Sequence, residues 1–387
     1  MSLASALAAP EWGYFGPDHD LARRTIREFA SREILPHLDE WEEAGAFPRD
    51  LYERAGDVGI LGVGYPEELG GTAGDLFMRV VAWEELMRPG SGGLSAGLGS
   101  LHIALPPIIN HGTPEQRERF VPPVLAGTQI AALAVTEPGG GSDVAALRST
   151  AVRDGDEWVI NGSKTFITSG HRADQITLAV RTGGPGHAGI SLIVVPGDAV
   201  GLTRGEPMKK MMWWASDTAS LYFDDVRVPS DRLIGDENAG FAMIMENFQT
   251  ERLQLAVGAN MTAELAVTAA ADHAAERRAF GSQLSDFQVL RHRLVDMATD
   301  VFMSKEVTYR VAARMETGME QVTEVSMAKN VATAVSDRVT DAAVQIFGGY
   351  GLMREYLVER LYRDSRILSI GGGTTEIMKE IIAKRIL

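Results

Sequence analysis

The sequence contains no cysteine, which excludes disulfide bonds, thiol nucleophiles and thiolate metal sites but leaves the cellular compartment undecided. It also has no run of about 18 apolar residues, so we expect no membrane insertion. Basic residues are too few to balance the acidic ones: 37 Lys and Arg against 52 Asp and Glu give a formal net charge of −15. Because such a surface repels phosphate groups, we expect no nucleic-acid partner.

Targeting and metal-binding signals are also missing. Residues 1–10 lack the charged flank and long apolar core of a signal peptide, and they contain no Arg for a transit peptide. We therefore expect a cytoplasmic protein. The eight His residues are scattered, with no His-x-x-x-His or His-Glu pair, so no metal site is expected.

The chain divides into three blocks by residue pattern, and a length of 387 residues suits two or three domains. Residues 1–129 read as a helical domain, in which Thr113, Pro114 and Gln116 form a helix start with a capping box. Residues 89–99 are rich in Gly and Ser and predict a loop or a small-residue helix. These residues say little about function by themselves.

Residues 130–234 have the pattern of a β domain. Asp154-Gly155 and Asn161-Gly162 are two hairpin-turn signals beside short runs of β-forming residues. Further strands are predicted at residues 175–181, 190–195 and 220–228. The pattern is typical of a small antiparallel β-barrel or sandwich.

Residues 235–387 are helical again. Long segments rich in Ala, Met and Leu predict antiparallel helices that pack as a four-helix bundle. The predicted helices span residues 241–279, 287–317, 326–347 and 374–386.

Two glycine-rich motifs carry the strongest functional signal. In the stretch from Ala134 to Ala146, three consecutive glycines allow a close approach of the backbone to a ligand, and Thr136 and Ser142 add hydroxyl groups. A second motif, Gln345 to Leu352, contains Gly348, Gly349 and Gly351. Either motif alone is often a plain turn or helix cap.

Together these motifs closely resemble the two signatures of the acyl-CoA dehydrogenase family. The resemblance covers nearly the whole chain, from about Gly16 to Arg385, and implies a helical domain, a middle antiparallel β-barrel and a C-terminal four-helix bundle. It further implies an FAD cofactor, bound in this chain by Val135, Thr136, Gly141, Ser142, Gln345, Gly348, Gly349 and Thr374.

The segment from Asn161 to Gly170 resembles the strand beside the flavin ring of that family. The resemblance implies that Phe166 covers one face of the flavin and that the Thr168 hydroxyl binds its reactive edge. Without that context, the segment would be a barrel strand with a core Phe and a surface Thr.

The segment from Glu276 to Gly281 resembles a part of the family that reaches into the FAD site of a neighbouring subunit. Arg277 would bind the pyrophosphate, as a charge-assisted donor does well, and Phe280 and Gln288 would lie near the adenosine. The protein would then be a homotetramer. The alternative is a solvated charge cluster at a helix end.

The sequence departs from the family pattern at the position where many members carry a catalytic Glu. That position is Gly372, whose backbone N–H, beside Gly371, still serves the thioester oxygen. Glu376 matches a family position that contacts the cofactor. Glu251 instead resembles the helix-borne base of isovaleryl-CoA and long-chain acyl-CoA dehydrogenases, and burial on its apolar face would raise its pKa toward that of a general base.

The resemblance therefore implies FAD-dependent α,β-dehydrogenation of an acyl-CoA to a trans-2-enoyl-CoA. Arg252 and Ser142 would lie near the CoA chain, the acyl group would be medium, long or branched, and an electron-transfer flavoprotein would take the electrons. One alternative on the same fold is an acyl-CoA oxidase or flavin monooxygenase. Another is a binding protein that has lost activity.

Overall fold

The computed structural model describes residues 13–387. The expectation that no targeting segment occupies residues 1–10 concerns residues outside this described part. The N-terminal block is helical as predicted, and its α-helices are α1 (Pro17–Phe29), α2 (Leu38–Ala44), α3 (Asp50–Asp57), α4 (Leu76–Met87), α5 (Gly92–Leu98), α6 (Leu101–Ala104), α7 (Pro106–His111), α8 (Pro114–Phe120) and α9 (Pro122–Leu125).

Local signals explain two of these helices. The predicted capping box at the start of α8 is confirmed: the Gln116 N–H donates to Thr113 Oγ1 over 3.3 Å, and the Thr113 N–H donates to Gln116 Oε1 over 2.9 Å. The Gly- and Ser-rich stretch contains the short helix α5, which Ser91 caps by accepting from the Leu94 N–H. Small side chains let α5 pack closely, and this matters for the cavity described below.

The middle block is an eight-stranded sheet, and its predicted strands are confirmed at the three positions expected. Its strands are β1 (Ala131–Ala134), β2 (Thr150–Asp154), β3 (Glu157–Thr168), β4 (Gln175–Arg181), β5 (Ile190–Pro196), β6 (Leu202–Arg204), β7 (Thr218–Pro229) and β8 (Leu233–Ile234). The pairing order is β6-β7-β3-β2-β4-β5-β8, and β1 pairs with β4. The sheet is mixed, since β1 runs parallel to β4, whereas the sequence predicted an antiparallel arrangement throughout.

One of the two predicted hairpin turns is wrong. The first, at Gly155, joins β2 to β3. Asn161-Gly162 instead lies inside β3, where the register against β7 shifts. Gly162 has φ +146°, and a Cβ there would lie 2.3 Å from Ser149 Oγ, so a close backbone approach requires this glycine.

The C-terminal block contains the four predicted helices and a fifth. They are α10 (Gly240–Glu276), α11 (Gln288–Glu316), α12 (Val322–Phe347), α13 (Leu357–Ser365) and α14 (Thr375–Ile386). The helix α13, which the sequence did not predict, lies in the segment between the second motif and the Gly371–Gly373 loop. Helix α10 packs along α11 and α12, and one core combines apolar side chains from all three blocks.

Charged side chains also tie the first and third blocks together. Glu85, fully buried on α4, pairs with Arg23 and Arg27 of α1 and with Arg88. Burial opposes its ionisation, but the hydrogen bonds and charges of Arg27 and Arg88 lower the pKa of Glu85 to about 2. The neighbouring Glu84 accepts a hydrogen bond from Tyr309 of α11. These contacts join α1 and α4 to the bundle.

Between residues 13 and 387, no single helix is long and apolar enough to cross a membrane. The bent pair formed by residues 92–98 and 101–111 satisfies that test only when its two parts are counted together.

Candidate active site

A cavity of about 840 Å³ opens where the three blocks meet. Helices α5 and α6 supply one wall, the β1 and β3 ends a second, and α10 with the loop before α14 a third. The sequence-predicted residues that line it are Val135, Thr136, Gly141, Ser142, Phe166, Thr168, Glu251, Arg252, Gly371, Gly372 and Thr374. Positions far apart in sequence therefore meet in one place.

The first glycine-rich motif is held in place by a buried ion pair. Lys164 of β3 has no exposed surface and donates to the Val135 carbonyl over 3.0 Å and to Glu137 Oε1 over 2.8 Å. Glu137 also accepts from the backbone N–H groups of Arg148 and Ser149, which closes the loop on itself. Burial opposes its ionisation, but the Lys164 charge and these hydrogen bonds lower the pKa of Glu137 to about 2.

The strand β3 presents Phe166 to the cavity by an unusual backbone conformation. Phe166 has φ +59° and lies where the register against β7 shifts between Lys164 and Ile167. Its side chain is 68% exposed and lines the cavity, with Thr168 beside it. A bulky residue in the left-handed region costs energy, and such strain is common at ligand sites. An exposed aromatic ring here suits a planar ligand rather than a protein core.

Glu251 reaches the cavity from α10 and lies beside the Gly371–Gly373 loop. A Cβ built on Gly372 would lie 3.4 Å from Glu251 Oε1. Oε2 of Glu251 is shielded from solvent and has no hydrogen-bond partner among the described residues. Burial raises the pKa of Glu251 to about 7, although the positive charges of Arg252 and Lys329 oppose the rise. A carboxylate with that pKa is suited to remove a proton near neutral pH.

The sequence places Ile244, Phe248, Leu255 and Gly258 on the same helical face as Glu251. Phe248, Leu255 and Gly258 line the cavity with it, whereas Ile244 is buried in the main core and does not. Arg252 is buried, and its Nε has no hydrogen-bond partner among the described residues. Because a buried N–H group without a hydrogen-bond acceptor is costly, an anionic or carbonyl group of a ligand would be a favourable partner for this guanidinium.

The remaining predicted cofactor residues lie outside this cavity. A second cavity of about 450 Å³ includes Arg277 and Gly349, together with His273, Phe347 and Tyr350. The Arg277 guanidinium carbon lies 5.4 Å from the centre of the Tyr350 ring, and the His273 ring stacks on Phe347 at 4.1 Å. The two cavities share no lining residue.

Four other predicted positions are exposed near this second cavity or at the end of α12. Phe280 has φ +51° and is 98% exposed, and Gln288, Gln345 and Gly348 are also exposed. Glu376 is exposed in the first turn of α14 and does not line the first cavity. Within a single chain, these residues therefore do not reach the cavity that Phe166 lines.

Sequence reasoning missed several residues that shape the site. Lys164 and Glu137 lie in two motifs that the sequence analysis described separately. Their place in those motifs was the only sequence signal that could have suggested the ion pair. The buried Lys329 of α12, which donates to the Gly373 carbonyl over 2.6 Å, gave no local signal. Ser95 and Ala96 of α5 also line the cavity. They belong to the Gly- and Ser-rich stretch that the sequence analysis singled out, but the stretch by itself did not predict this role.

Comparisons with known proteins agree with this architecture. Family models of the acyl-CoA dehydrogenase N-terminal, middle and C-terminal domains match residues 16–128, 132–226 and 238–387. The rat mitochondrial long-chain specific acyl-CoA dehydrogenase (Rattus norvegicus) is 38% identical over 377 residues, which cover 96% of this chain and 87% of that protein. The caffeyl-CoA reductase-Etf complex subunit CarC of Acetobacterium woodii is 34% identical over 382 residues, which cover 97% of this chain and 99% of that protein.

Among solved structures, a probable acyl-CoA dehydrogenase from Mycobacterium abscessus superposes with a TM-score of 0.95 at 50% identity, covering 97% of this chain and all of that one. The chain belongs to the acyl-CoA dehydrogenase family. It is accordingly a flavoprotein oxidoreductase that acts on a CH–CH group, with FAD as its cofactor.

The residues present fit FAD. Gly140 lines the cavity, and a Cβ there would meet no atom within 4 Å, so the first motif leaves space where a cofactor can lie against the backbone. Phe166 is exposed toward that space. Val135, Thr136, Phe166 and Thr168 would hold the flavin ring, and FAD when bound supplies the acceptor for a hydride.

Proposed function

We propose that this protein dehydrogenates a medium-chain, long-chain or methyl-branched acyl-CoA to the trans-2-enoyl-CoA, with Glu251 as the base. The observation that carries the proposal is the unpartnered Glu251 carboxylate beside Gly372. Glu251 takes the proton from the carbon next to the thioester carbonyl, and the Gly372 N–H donates to the carbonyl oxygen as negative charge develops there. Arg252 and Ser142, which line the same cavity, contact the CoA part.

The base is tested by Glu251→Gln. We expect flavin reduction by acyl-CoA to slow by at least about a hundredfold, as for the loss of a general base, while the FAD content stays unchanged. Glu376→Gln is the matched control, since this carboxylate is exposed outside the cavity; FAD binding is expected to weaken and the reduction step to change little. If Glu251→Gln reduces its flavin at the wild-type rate in anaerobic stopped flow, Glu251 is not the base and the assignment is overturned.

The acyl group is proposed from the small residues of the cavity. Ser95 and Ala96 of α5, with Gly99 and Ser100 after it, line the same cavity as Gly258 of α10. A Cβ on Gly258 would meet no atom within 4 Å. Gly258→Leu should therefore fold normally, since glycine is a poor helix former, yet fill the cavity. We expect kcat/KM to fall for long acyl-CoAs and to remain for short ones; an equal effect on both would contradict the proposed position of the chain.

The electron acceptor is proposed from the relatives. One of them is by name a subunit of an Etf complex, and we propose that an electron-transfer flavoprotein accepts the electrons here. Purified protein with acyl-CoA should reduce such a flavoprotein faster than it forms hydrogen peroxide in air. Rapid peroxide formation without an added acceptor would instead favour the oxidase alternative.

We further propose a homotetramer in which Arg277 and Gln288 complete the FAD site of a neighbouring subunit. Two observations support it: the Arg277 cavity is separate from the Phe166 cavity, and α11 exposes the apolar side chains Val289, Val295, Phe302, Met303 and Val307. Closed symmetric assemblies commonly cover such faces. Light scattering that shows a monomer with full FAD occupancy would refute the shared site. The cytoplasmic location stays a prediction, which cell fractionation tests.

A further inference from the structure

A buried lysine lies behind the wall of the cavity, where it contacts no open space. Lys329 is fully buried on α12 and is absent from the residues that line the cavity. Its Nζ donates to the Gly373 carbonyl over 2.6 Å. Burying an ammonium group is costly unless charge and hydrogen bonds compensate it. One backbone carbonyl compensates that charge only in part.

The negative charge of Glu251 also stabilises the ammonium group, although the two side chains form no hydrogen bond with each other among the described residues. The charge on Glu251 favours the ionised form of Lys329, and the charge on Lys329 favours the ionised form of Glu251. Burial lowers the pKa of Lys329 to about 8, so the ammonium form still prevails at neutral pH. Lys329 thus contacts the loop that contains Gly372 and acts electrostatically on the base.

We propose that Lys329 is a positioning residue of the dehydrogenation site, which fixes the Gly372–Gly373 turn through the Gly373 carbonyl and places a buried positive charge behind the turn beside which Glu251 lies. The inference rests on the proposed function for its consequence in catalysis. It assigns no contact with substrate or cofactor to Lys329.

The geometry of the turn explains why it needs an anchor. Gly372 and Gly373 have φ +62° and +96°, two successive positive values, and glycine loses the most conformational freedom on folding. Helix α12 holds this turn at two points: Lys329 binds the Gly373 carbonyl, and Asn330 Nδ2 donates to the Thr375 carbonyl over 3.3 Å. A loosened turn would misplace the Gly372 N–H.

The charge explains how a buried carboxylate remains a base. Two charges act on the Glu251 pKa, those of Arg252 on its own helix and of Lys329 on α12. The other charged side chains that line the cavity are Glu137, Asp143, Asp364, Glu380 and Lys384. Because burial alone would push the pKa higher, removal of Lys329 should leave Glu251 protonated over more of the neutral range.

The test compares Lys329→Met with Lys329→Arg in the FAD-loaded protein. For Lys329→Met we expect the acid limb of the pH profile of flavin reduction to move up by about one pH unit, and amide hydrogens of residues 371–374 to exchange faster. Lys329→Arg keeps a positive charge and should restore most of the profile. Lys210→Met is the matched control, since Lys210 is also a largely buried lysine but binds Ser216 and Thr218; it should leave the pH profile unshifted.

A second readout needs no substrate. Thermal unfolding of Lys329→Met, Glu251→Gln and the double variant at pH 8 forms a cycle. We expect Glu251→Gln to stabilise the Lys329→Met background more than it stabilises the wild type, because that background has lost one of the two positive charges that act on the carboxylate. If Lys329→Met is too unstable to purify, Lys329→Gln takes its place in the cycle. Additive effects in this cycle, or an unshifted pH profile, would overturn the proposal. Since the cycle reads the pair directly, its failure is distinguishable from a failure of Glu251 as the base.

Discussion

Moving the base from α10 to the Gly371–Gly373 loop tests the geometry of the site most sharply. The perturbation is the double change Glu251→Thr with Gly372→Glu. It places a carboxylate at residue 372, the position that corresponds by resemblance to the catalytic Glu of many family members. In the structure, a Cβ on Gly372 would lie 3.4 Å from Glu251 Oε1 but only 2.4 Å from Leu255 Cδ1. The Glu251→Thr change removes the first contact and leaves the second. We therefore expect this double variant to be hindered by Leu255.

The structure sets the size of the cost. A non-glycine residue at φ +62° is less favourable by roughly 1–2 kcal/mol. Leu255 can turn away because the clashing atom is the end of a flexible side chain, at about 0.5–1.5 kcal/mol. The expected destabilisation is therefore about 1.5 to 3.5 kcal/mol. Adding Leu255→Ala removes the second cost, although it introduces a cavity whose own cost the unfolding measurement will report.

The assay is anaerobic stopped-flow flavin reduction with one acyl-CoA, together with thermal unfolding of each variant. We expect Glu251→Thr alone to be nearly inactive, the double variant to recover little, and the triple variant with Leu255→Ala to reduce flavin at least about tenfold faster than the double variant, as a repositioned general base would. A double variant as fast as the triple would show that Leu255 does not restrict residue 372. Wild-type rates for Glu251→Thr alone would refute the reasoning altogether.

Three further predictions concern stability. In the folded protein the pKa of Glu251 is about 7, above its ordinary value, so this group contributes fully to stability at low pH and the contribution is lost as pH rises through 7. Glu251→Gln should abolish this pH-dependent loss, which is on the order of 3 kcal/mol. Urea unfolding of both proteins at pH 5 and pH 8 measures the loss. Glu85 behaves oppositely, because groups that include Arg27 lower its pKa to about 2. Glu85→Gln should destabilise the fold by about 3–5 kcal/mol at pH 7, and the difference in unfolding free energy from the wild type should vanish as pH falls from about 4.5 toward 2. A difference that does not depend on pH would contradict the pairing. Gly162→Ala should cost at least about 1–3 kcal/mol because its Cβ would meet Ser149 Oγ at 2.3 Å, and an unchanged melting temperature would show that β3 does not need this close approach.

The sequence by itself determined the three-block order, the helix starts and most strands. These features depend on local periodicity and capping residues, as at Thr113, and such signals are complete within a few neighbours. It also determined that residue 372 is a glycine and that a candidate base lies at residue 251. The mixed sheet and the misassigned turn at Gly162 were not predictable, because strand pairing and close backbone approach depend on partners far along the chain.

Only the tertiary structure decided that these residues form a site. It placed Glu251 beside Gly372 although 120 positions separate them in the numbering, and it buried that carboxylate, which is what raises its pKa to about 7. It likewise placed Lys329 behind the turn and separated the Arg277 cavity from the Phe166 cavity. The physical reason is that desolvation and electrostatic contact depend on packing between elements, which no local pattern encodes.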